Sequence, residues 1–203
     1  LTATTSALKQ KPELLSILAN PFSLSGGFRG PDQLDDSKAL FDEKLEMWVA
    51  PFIMAPINTK NIHRSNALMG HAYGEDFCYD EMSITGSGDE GKARAEFMAT
   101  LNPLVGDDMP APGEGPSKES RENGNFNVLF CADMPNGETL NATVTGDMDP
   151  GYGSTSKMIA ESAVCLVKDC LELEGGIYTP APSMGKKLIT RLVANAGLTF
   201  SLD

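Results

Sequence analysis

Two runs rich in β-forming residues, FNVLFCADM and ETLNATVTGD, flank Pro135-Asn136-Gly137. Asn-Gly between such runs is hairpin chemistry, because a tight turn needs positive φ at its central residues. A hairpin over 126–147 therefore constrains the fold more than any other stretch. Its second strand runs directly into GDMDPGYGSTSKMIAESAVCLV, residues 146–167. That segment reads as a strand end, a loop of glycines and small hydroxyls, and then an amphipathic helix with Ile159, Ala163, Leu166 and Val167 on one face.

The rest of the chain supplies partners for this unit. Residues 5–19 read as a helix that Pro12 divides and Asn20-Pro21 ends. Residues 23–38 have no period and read as loop. Residues 41–50 read as a short amphipathic turn leading to Trp48. APFIMAPIN follows as a proline-punctuated connector, and Asn58 or Thr59 can cap a helix running to about Met69, with Gly70 as its stop. Residues 77–85 alternate as a strand. Residues 92–104 form a helix with Ala93, Phe97, Met98 and Leu101 inward. Residues 105–125 are polar, rich in proline and glycine, and read as a mobile surface loop. Ile177-Tyr178-Thr179 reads as a short strand. A last helix carries Met184, Leu188 and Leu192 at four-residue spacing, Asn195-Ala196-Gly197 stops it, and residues 198–202 form a last strand. The class is α+β (mixed α/β): a mostly antiparallel sheet with the hairpin at its centre and helices packed on it, in one domain over 1–203.

Net charge sets limits on partners. A balance of −12 over 203 residues argues against nucleic acid and against an anionic membrane surface. It leaves room for an anionic small molecule in a locally positive pocket. No run reaches the ~20 apolar residues that cross a bilayer, and the start lacks a signal-peptide pattern. The four cysteines, Cys78, Cys131, Cys165 and Cys170, form no CxxC pair, and no histidine stands at metal-ligand spacing. The expectation is four reduced thiols in a cytoplasmic protein, Cys78 and Cys131 on strands, with no metal. The chain does not begin with Met, which reads as a fragment of a longer protein.

Few residues offer chemistry. The loop Asp149-Pro150-Gly151-Tyr152-Gly153-Ser154-Thr155 precedes a helix, with Lys157 one turn in. Free N–H groups there, with the Ser154 and Thr155 hydroxyls, can clamp a carboxylate or phosphate. The same residues equally make an N-cap and a close-packed corner. No GxxxxGK[ST] frame is present, so this is not a P-loop. Arg64, in His63-Arg64-Ser65-Asn66, can hold an anion with two hydrogen bonds or serve as a structural ion-pair residue. Asp80 and Glu81 are adjacent on an expected strand and would point to opposite faces, so they make no catalytic dyad. Two histidines and no GxSxG motif leave nucleophilic triad chemistry without its parts.

Three blocks taken together carry a resemblance: WVAPFIMAPINTKNIHRSNALMG with AYGEDFCYDE, GDMDPGYGSTSKMIAESAVCL, and GGIYTPAPSMGKKLITRLVANAGLTF. In this order and spacing they resemble the saccharopine dehydrogenase-like oxidoreductases, in particular the branch called trans-acting enoyl reductases. The resemblance covers most of the chain and is weakest over 105–125. Matching positions include Arg64-Ser65-Asn66, Tyr73-Gly74, Asp149, Gly151-Tyr152-Gly153 and Thr155. Members begin with a Rossmann domain that this chain lacks. The resemblance thus implies the C-terminal, substrate-side or dimerisation portion of an NAD(P)-dependent oxidoreductase, linked to lipid metabolism. It implies a small-molecule substrate, a homodimer contact, and NAD(P) held by the longer protein and not by this portion. It turns Arg64, Asn66, Tyr152, Ser154 and Thr155 into candidate substrate-binding residues and assigns no catalytic residue. The other implied role is a non-catalytic dimerisation or docking module that keeps the fold.

Overall fold

The computed structural model describes residues 10–11, 13–101 and 115–202. Six helices and two three-stranded antiparallel sheets stand among the described residues, an α+β architecture as expected. The chain divides into two compact units, Leu1–Met109 and Pro110–Asp203, each with its own sheet.

The first unit opens on helix α1 (Leu14–Ala19), none of whose residues is buried. Asn20 is extended, as a residue before proline prefers, and its carboxamide oxygen accepts from the Phe22 N–H at 2.9 Å. Residues 5–9 and 12 of the expected first helix lie outside the described residues. Strands β1 (Leu40–Asp42) and β2 (Met47–Pro51) then pair in register Leu40↔Val49, Phe41↔Trp48. The expected amphipathic turn over 41–50 is therefore a hairpin. The Asp42 carboxylate closes it by accepting from the N–H groups of Lys44 (2.9 Å) and Leu45 (3.0 Å), an Asx turn. Glu46 takes φ 52° to complete the reversal.

Helix α2 (Ala55–Leu68) starts before the expected caps, with Pro56 in its first turn, where a missing N–H costs nothing. Asn58 and Thr59 are thus interior, and the Thr59 hydroxyl donates back to the Ala55 carbonyl at 2.8 Å. Gly70 at φ 65° does end the helix. Strand β3 (Met82–Gly86) is shorter than the 77–85 expected. The Tyr79 N–H donates to the Gln33 side chain at 3.0 Å instead of to a neighbouring strand. Cys78 accordingly lies on an irregular segment and is exposed, whereas Cys131 is on a strand as expected.

Helix α3 (Gly88–Thr100) buries Gly91 and Ala95, not the large residues expected inward. Phe97 and Leu101 are exposed. The reason is close approach: a Cβ on Gly91 would lie 2.1 Å from the Gly86 carbonyl oxygen. Thr85 fastens the corner, its hydroxyl lying 2.9 Å from both the Trp48 and Gly91 carbonyls.

In the second unit, residues 105–114 of the expected loop lie outside the described residues. Its far end forms a short helix, α4 (Lys118–Asn123), capped by the Ser117 hydroxyl accepting from the Ser120 N–H at 3.1 Å. The hairpin follows as β4 (Phe126–Asp133) and β5 (Thr139–Gly146), in register from Phe126↔Gly146 to Asp133↔Thr139. Gly137 takes φ 85° in the turn. Helices α5 (Gly153–Lys168) and α6 (Pro180–Asn195) come next, and β6 (Leu198–Leu202) closes the sheet beside β5. Residues 177–179 join no ladder, and Thr179 is instead the extended residue that starts α6.

The core gathers Cys165, Cys170, Met184, Leu188, Leu192, Ala196 and Leu198, with Phe126, Val144 and Met158 against it. The α6 stripe is the expected one. The α5 stripe is not: Gly153, Ser154 and Cys165 face inward, while Ile159, Leu166 and Val167 are exposed. A polar clasp joins the two helices. The Arg191 guanidinium pairs with both Asp169 oxygens and with Glu161 Oε2 at 3.1 Å, and Asn195 reaches the same Glu161 oxygen at 3.2 Å. All four cysteines are thiols outside any disulfide. No helix among the described residues is long and apolar enough to cross a membrane.

Candidate functional site

At the start of α5 a helix N-terminus leaves N–H groups without intrahelical partners. Here Asp149 takes them. Its Oδ1 accepts from Gly151 and Tyr152, both at 3.0 Å, and its Oδ2 accepts from Gly153 at 2.5 Å. Partial burial works to raise the Asp149 pKa, but these three N–H donors and the Arg121 charge outweigh it and hold the carboxyl below its ordinary value. The anion at this corner is therefore the protein's own. The Ser154 hydroxyl, fully buried, donates to the Met148 carbonyl at 3.1 Å, and the Thr155 hydroxyl donates to Pro150 at 2.5 Å. Lys157 pairs with Asp147 at 2.6 Å. Gly153 is required by space, since a Cβ there would meet Asp149 Oδ2 at 2.7 Å and the Arg121 carbonyl at 3.1 Å. These groups do not fit a nucleotide phosphate, because Asp149 occupies the place a phosphate would take. Of the three candidates here, Ser154 is buried, whereas Tyr152, with 55% of its surface exposed, and Thr155 are open to solvent, Thr155 with its hydroxyl engaged by Pro150.

Arg64 and Asn66 belong to the first unit, on α2. Asn66 is 3% exposed and works as a clamp: its amide donates to the Gly74 carbonyl at 2.8 Å, and its oxygen accepts from the Tyr73 N–H at 2.9 Å. Its own backbone carbonyl receives the His71 N–H at 2.8 Å. That grip holds His71 at φ 61°, a conformation rare outside glycine. Arg64 is half-buried and donates to the Leu24 carbonyl at 2.9 Å. The candidates thus form two sets in separate units, Arg64 with Asn66 and Tyr152 with Ser154 and Thr155.

The structure also assembles a group that motif spacing does not single out. His63, 3% exposed, stacks on Phe22 at 4.3 Å and meets Phe77 at 5.8 Å. Its Nε2 lies 2.9 Å from Gln33 Oε1, the oxygen that also accepts from Tyr79. Burial pushes the His63 pKa down. Nearby in sequence, Glu81 receives the Asn58 amide at 3.1 and 2.9 Å. Burial raises the pKa of Glu81 and of Asp80, and Asp36 adds repulsion to both. Burial, with the charges of Glu81 and Asp80, lifts Tyr79 to about 12. Gln33 sits in a stretch read as featureless loop, and no local pattern links it to His63 thirty residues on. Among the described residues no cluster of His, Cys, Asp and Glu could hold a metal ion.

Comparison with known proteins adds names to this geometry. The chain is 34% identical, over an alignment of 221 positions, to a Mycobacterium tuberculosis protein provisionally named a trans-acting enoyl reductase; 96% of this chain and 52% of that protein are covered. It is 31% identical over 208 positions to the trans-acting enoyl reductase of Mycobacterium bovis, covering 89% of this chain and 49% of that protein. The Mycobacterium ulcerans protein of the same name aligns at 31% identity over 207 positions. The chain spans about half the length of the curated relatives it matches. No protein-family profile matches it. No solved structure matches it either.

Proposed function

We propose that this chain is the substrate-side portion of an NAD(P)-dependent oxidoreductase of the trans-acting enoyl reductase kind, within the saccharopine dehydrogenase-like group. The observation that carries the reading is the 31–34% identity to proteins of that name along 89–96% of the chain. An enoyl reductase adds hydrogen across a carbon–carbon double bond conjugated to a carbonyl. The substrate would then be a small acyl compound, in keeping with a role in lipid metabolism. The nicotinamide cofactor belongs to the longer protein. The glycine-rich corner of this chain is filled by Asp149, which favours placing the cofactor's phosphates elsewhere.

In this reading Arg64 remains a candidate substrate-binding group of the first unit and Tyr152 one of the second. Tyr152 offers an exposed phenol, a donor suited to a carbonyl oxygen. Arg64 offers a permanent cation. Asn66, Ser154 and Thr155 hold the backbone that presents them. The test uses the full-length protein with NAD(P)H and an enoyl thioester. Tyr152→Phe and Arg64→Ala should each lower turnover at least tenfold, which is roughly the loss of one charge-assisted or carbonyl hydrogen bond. Their melting temperatures should stay within a few degrees of the parent. Unchanged turnover in both variants would remove these residues from the site.

A second reading, a non-catalytic dimerisation or docking module, draws on the exposed apolar face of the second unit's sheet. A full-length protein that oxidises no NAD(P)H with any enoyl thioester would favour it.

A further inference from the structure

An open cleft of about 770 Å³ lies wholly within the first unit, a volume in the range of small-molecule sites. Helix α1 and the turn after it line one side with Ile17, Asn20 and Phe22. Residues 29–33 line the other with Arg29, Asp32 and Gln33. Local hydrogen bonds fix both sides. The Asn20 carboxamide oxygen accepts the Phe22 N–H at 2.9 Å, and the Asn20 carbonyl accepts the Ser23 N–H at 3.2 Å. The Arg64 guanidinium holds the Leu24 carbonyl just beyond, at 2.9 Å. On the other side Gln33 Nε2 donates to the Pro31 carbonyl at 3.0 Å, and Gln33 Oε1 is shared by the Tyr79 N–H and His63 Nε2. Gly30 lets the two sides meet, since a Cβ there would lie 2.8 Å from Phe22 Cζ. The cleft is therefore shaped in advance, which lowers the ordering cost of binding.

Its charge is unusual for this chain. Arg64 and Arg121 hold backbone carbonyls, Arg94 pairs with Glu90, and Arg191 pairs with Glu161 and Asp169. Arg29, exposed, is the one arginine that makes no hydrogen bond or ion pair among the described residues. Yet Asp and Glu outnumber Lys and Arg by 28 to 16. A guanidinium left open on a cleft offers two parallel N–H donors that match a carboxylate. Asp32 lines the same cleft and repels a doubly charged phosphate more than a singly charged carboxylate. Ile17, 54% exposed, and Pro31 add apolar surface beside the Phe22 ring.

We infer that this cleft binds an organic monocarboxylate with an apolar body. The carboxylate sits on the Arg29 guanidinium, and the body lies along Ile17, Phe22 and Pro31. The inference rests on the first unit alone and is independent of the oxidoreductase reading, so a failed turnover test leaves it standing.

The test is calorimetric and NMR titration of the full chain with 4-phenylbutanoate. The expected result is saturable binding with a Kd of about a millimolar or tighter, and amide shifts centred on Phe22, Gly30 and Gln33. Arg29→Ala should weaken binding roughly tenfold or more, the scale of one charge-assisted hydrogen bond. Ile17→Asp, at an exposed position of α1, should weaken it as well, through repulsion and lost apolar contact. Arg94→Ala removes an exposed arginine outside the cleft and should leave binding unchanged. The neutral alcohol 4-phenylbutan-1-ol should bind more weakly than the acid, and equally to the parent and to Arg29→Ala. Circular dichroism and melting confirm that each variant is folded. Absence of saturable binding overturns the inference. An equal loss in Arg94→Ala and Arg29→Ala overturns it too, because net charge alone would then set the affinity. So does displacement of the probe by an equal concentration of inorganic phosphate, which would mark a site for any anion.

Discussion

The two units are built on different materials. The first buries mostly small and polar groups, Ala50, Ala55 and Ala95 with Thr59, His63, Ser65 and Asn66, beside the larger Phe22 and Val49. Each of these polar groups reaches a partner, and rings of Phe22 and Phe77 close over His63. The second buries aliphatic and sulfur side chains, Met184, Leu188, Leu192, Cys165 and Cys170, against one face of its sheet. The first is therefore specified by hydrogen-bond geometry and close backbone approach. The second is specified by shape and by removal of apolar surface from water.

Truncation should separate them most. Leu188→Ala in the second unit deletes a buried side chain from the middle of the core and should cost about 2–5 kcal/mol. Among its described residues the first unit offers fewer such side chains, Phe22 and Val49. Its sensitive change runs the other way: Ala95, fully buried where α3 meets the sheet, should lose about 1–3 kcal/mol on enlargement to Leu. Denaturant melts of both variants check this. Equal tolerance of Ala95→Leu and an exposed-site leucine would mean that the first unit is loosely packed and the contrast is false.

The same contrast explains what could be read in advance. The hairpin over 126–147, helix α6 with its Met184–Leu188–Leu192 stripe, and strand β6 were legible because periodicity and Asn-Gly chemistry are local. Helix α3 was misread because its inner face is Gly91 and Ala95, selected by the 2.1 Å approach to Gly86 and not by hydrophobicity. Helix α5 was misread for a related reason. Asp149, Gly153 and Ser154 fix its start, and Cys165 with the Arg191 clasp fixes its end, so its large apolar residues face outward. At the candidate site the residue types were legible and their duties were not. Asn66, Ser154 and Thr155 spend their polar atoms on the backbone, which spacing alone does not reveal.

Acid should also act on the units in different windows. His63 has a lowered pKa in the folded state, while an unfolded chain takes up that proton near 6.5. The unfolded state then binds more protons below 6.5, so folding of the first unit weakens as pH falls from there. Asp80 and Glu81 act in the opposite sense, since their raised values mean that protonation relieves burial and repulsion. His63→Gln isolates the first effect: the parent should lose stability as pH falls below 6.5, and the variant should lose less. The Asp149 cap, with its lowered pKa, keeps its contribution above the usual carboxyl value of 3.8 and loses it only as pH falls below that. Hydrogen exchange of the Tyr79 and Gly153 amides reports the two windows separately. Loss of protection at both amides together, near pH 6, would show that one event controls both.

The smallest expected effect concerns the outer side of α5. Ile159 is 68% exposed and Val167 73%, so Ile159→Ser and Val167→Ser should each change stability of the chain by no more than about 0.5 kcal/mol. The neighbouring core residue Cys165, on the same helix and fully buried, sets the contrast. The burial pattern, not the hydrophobicity of a side chain, decides the cost, and a serine at a solvent-facing site removes no packed atoms. A loss of 2 kcal/mol at either exposed position would mean that the helix is covered in solution, and the apolar stripe read from the sequence would then be a packed face after all.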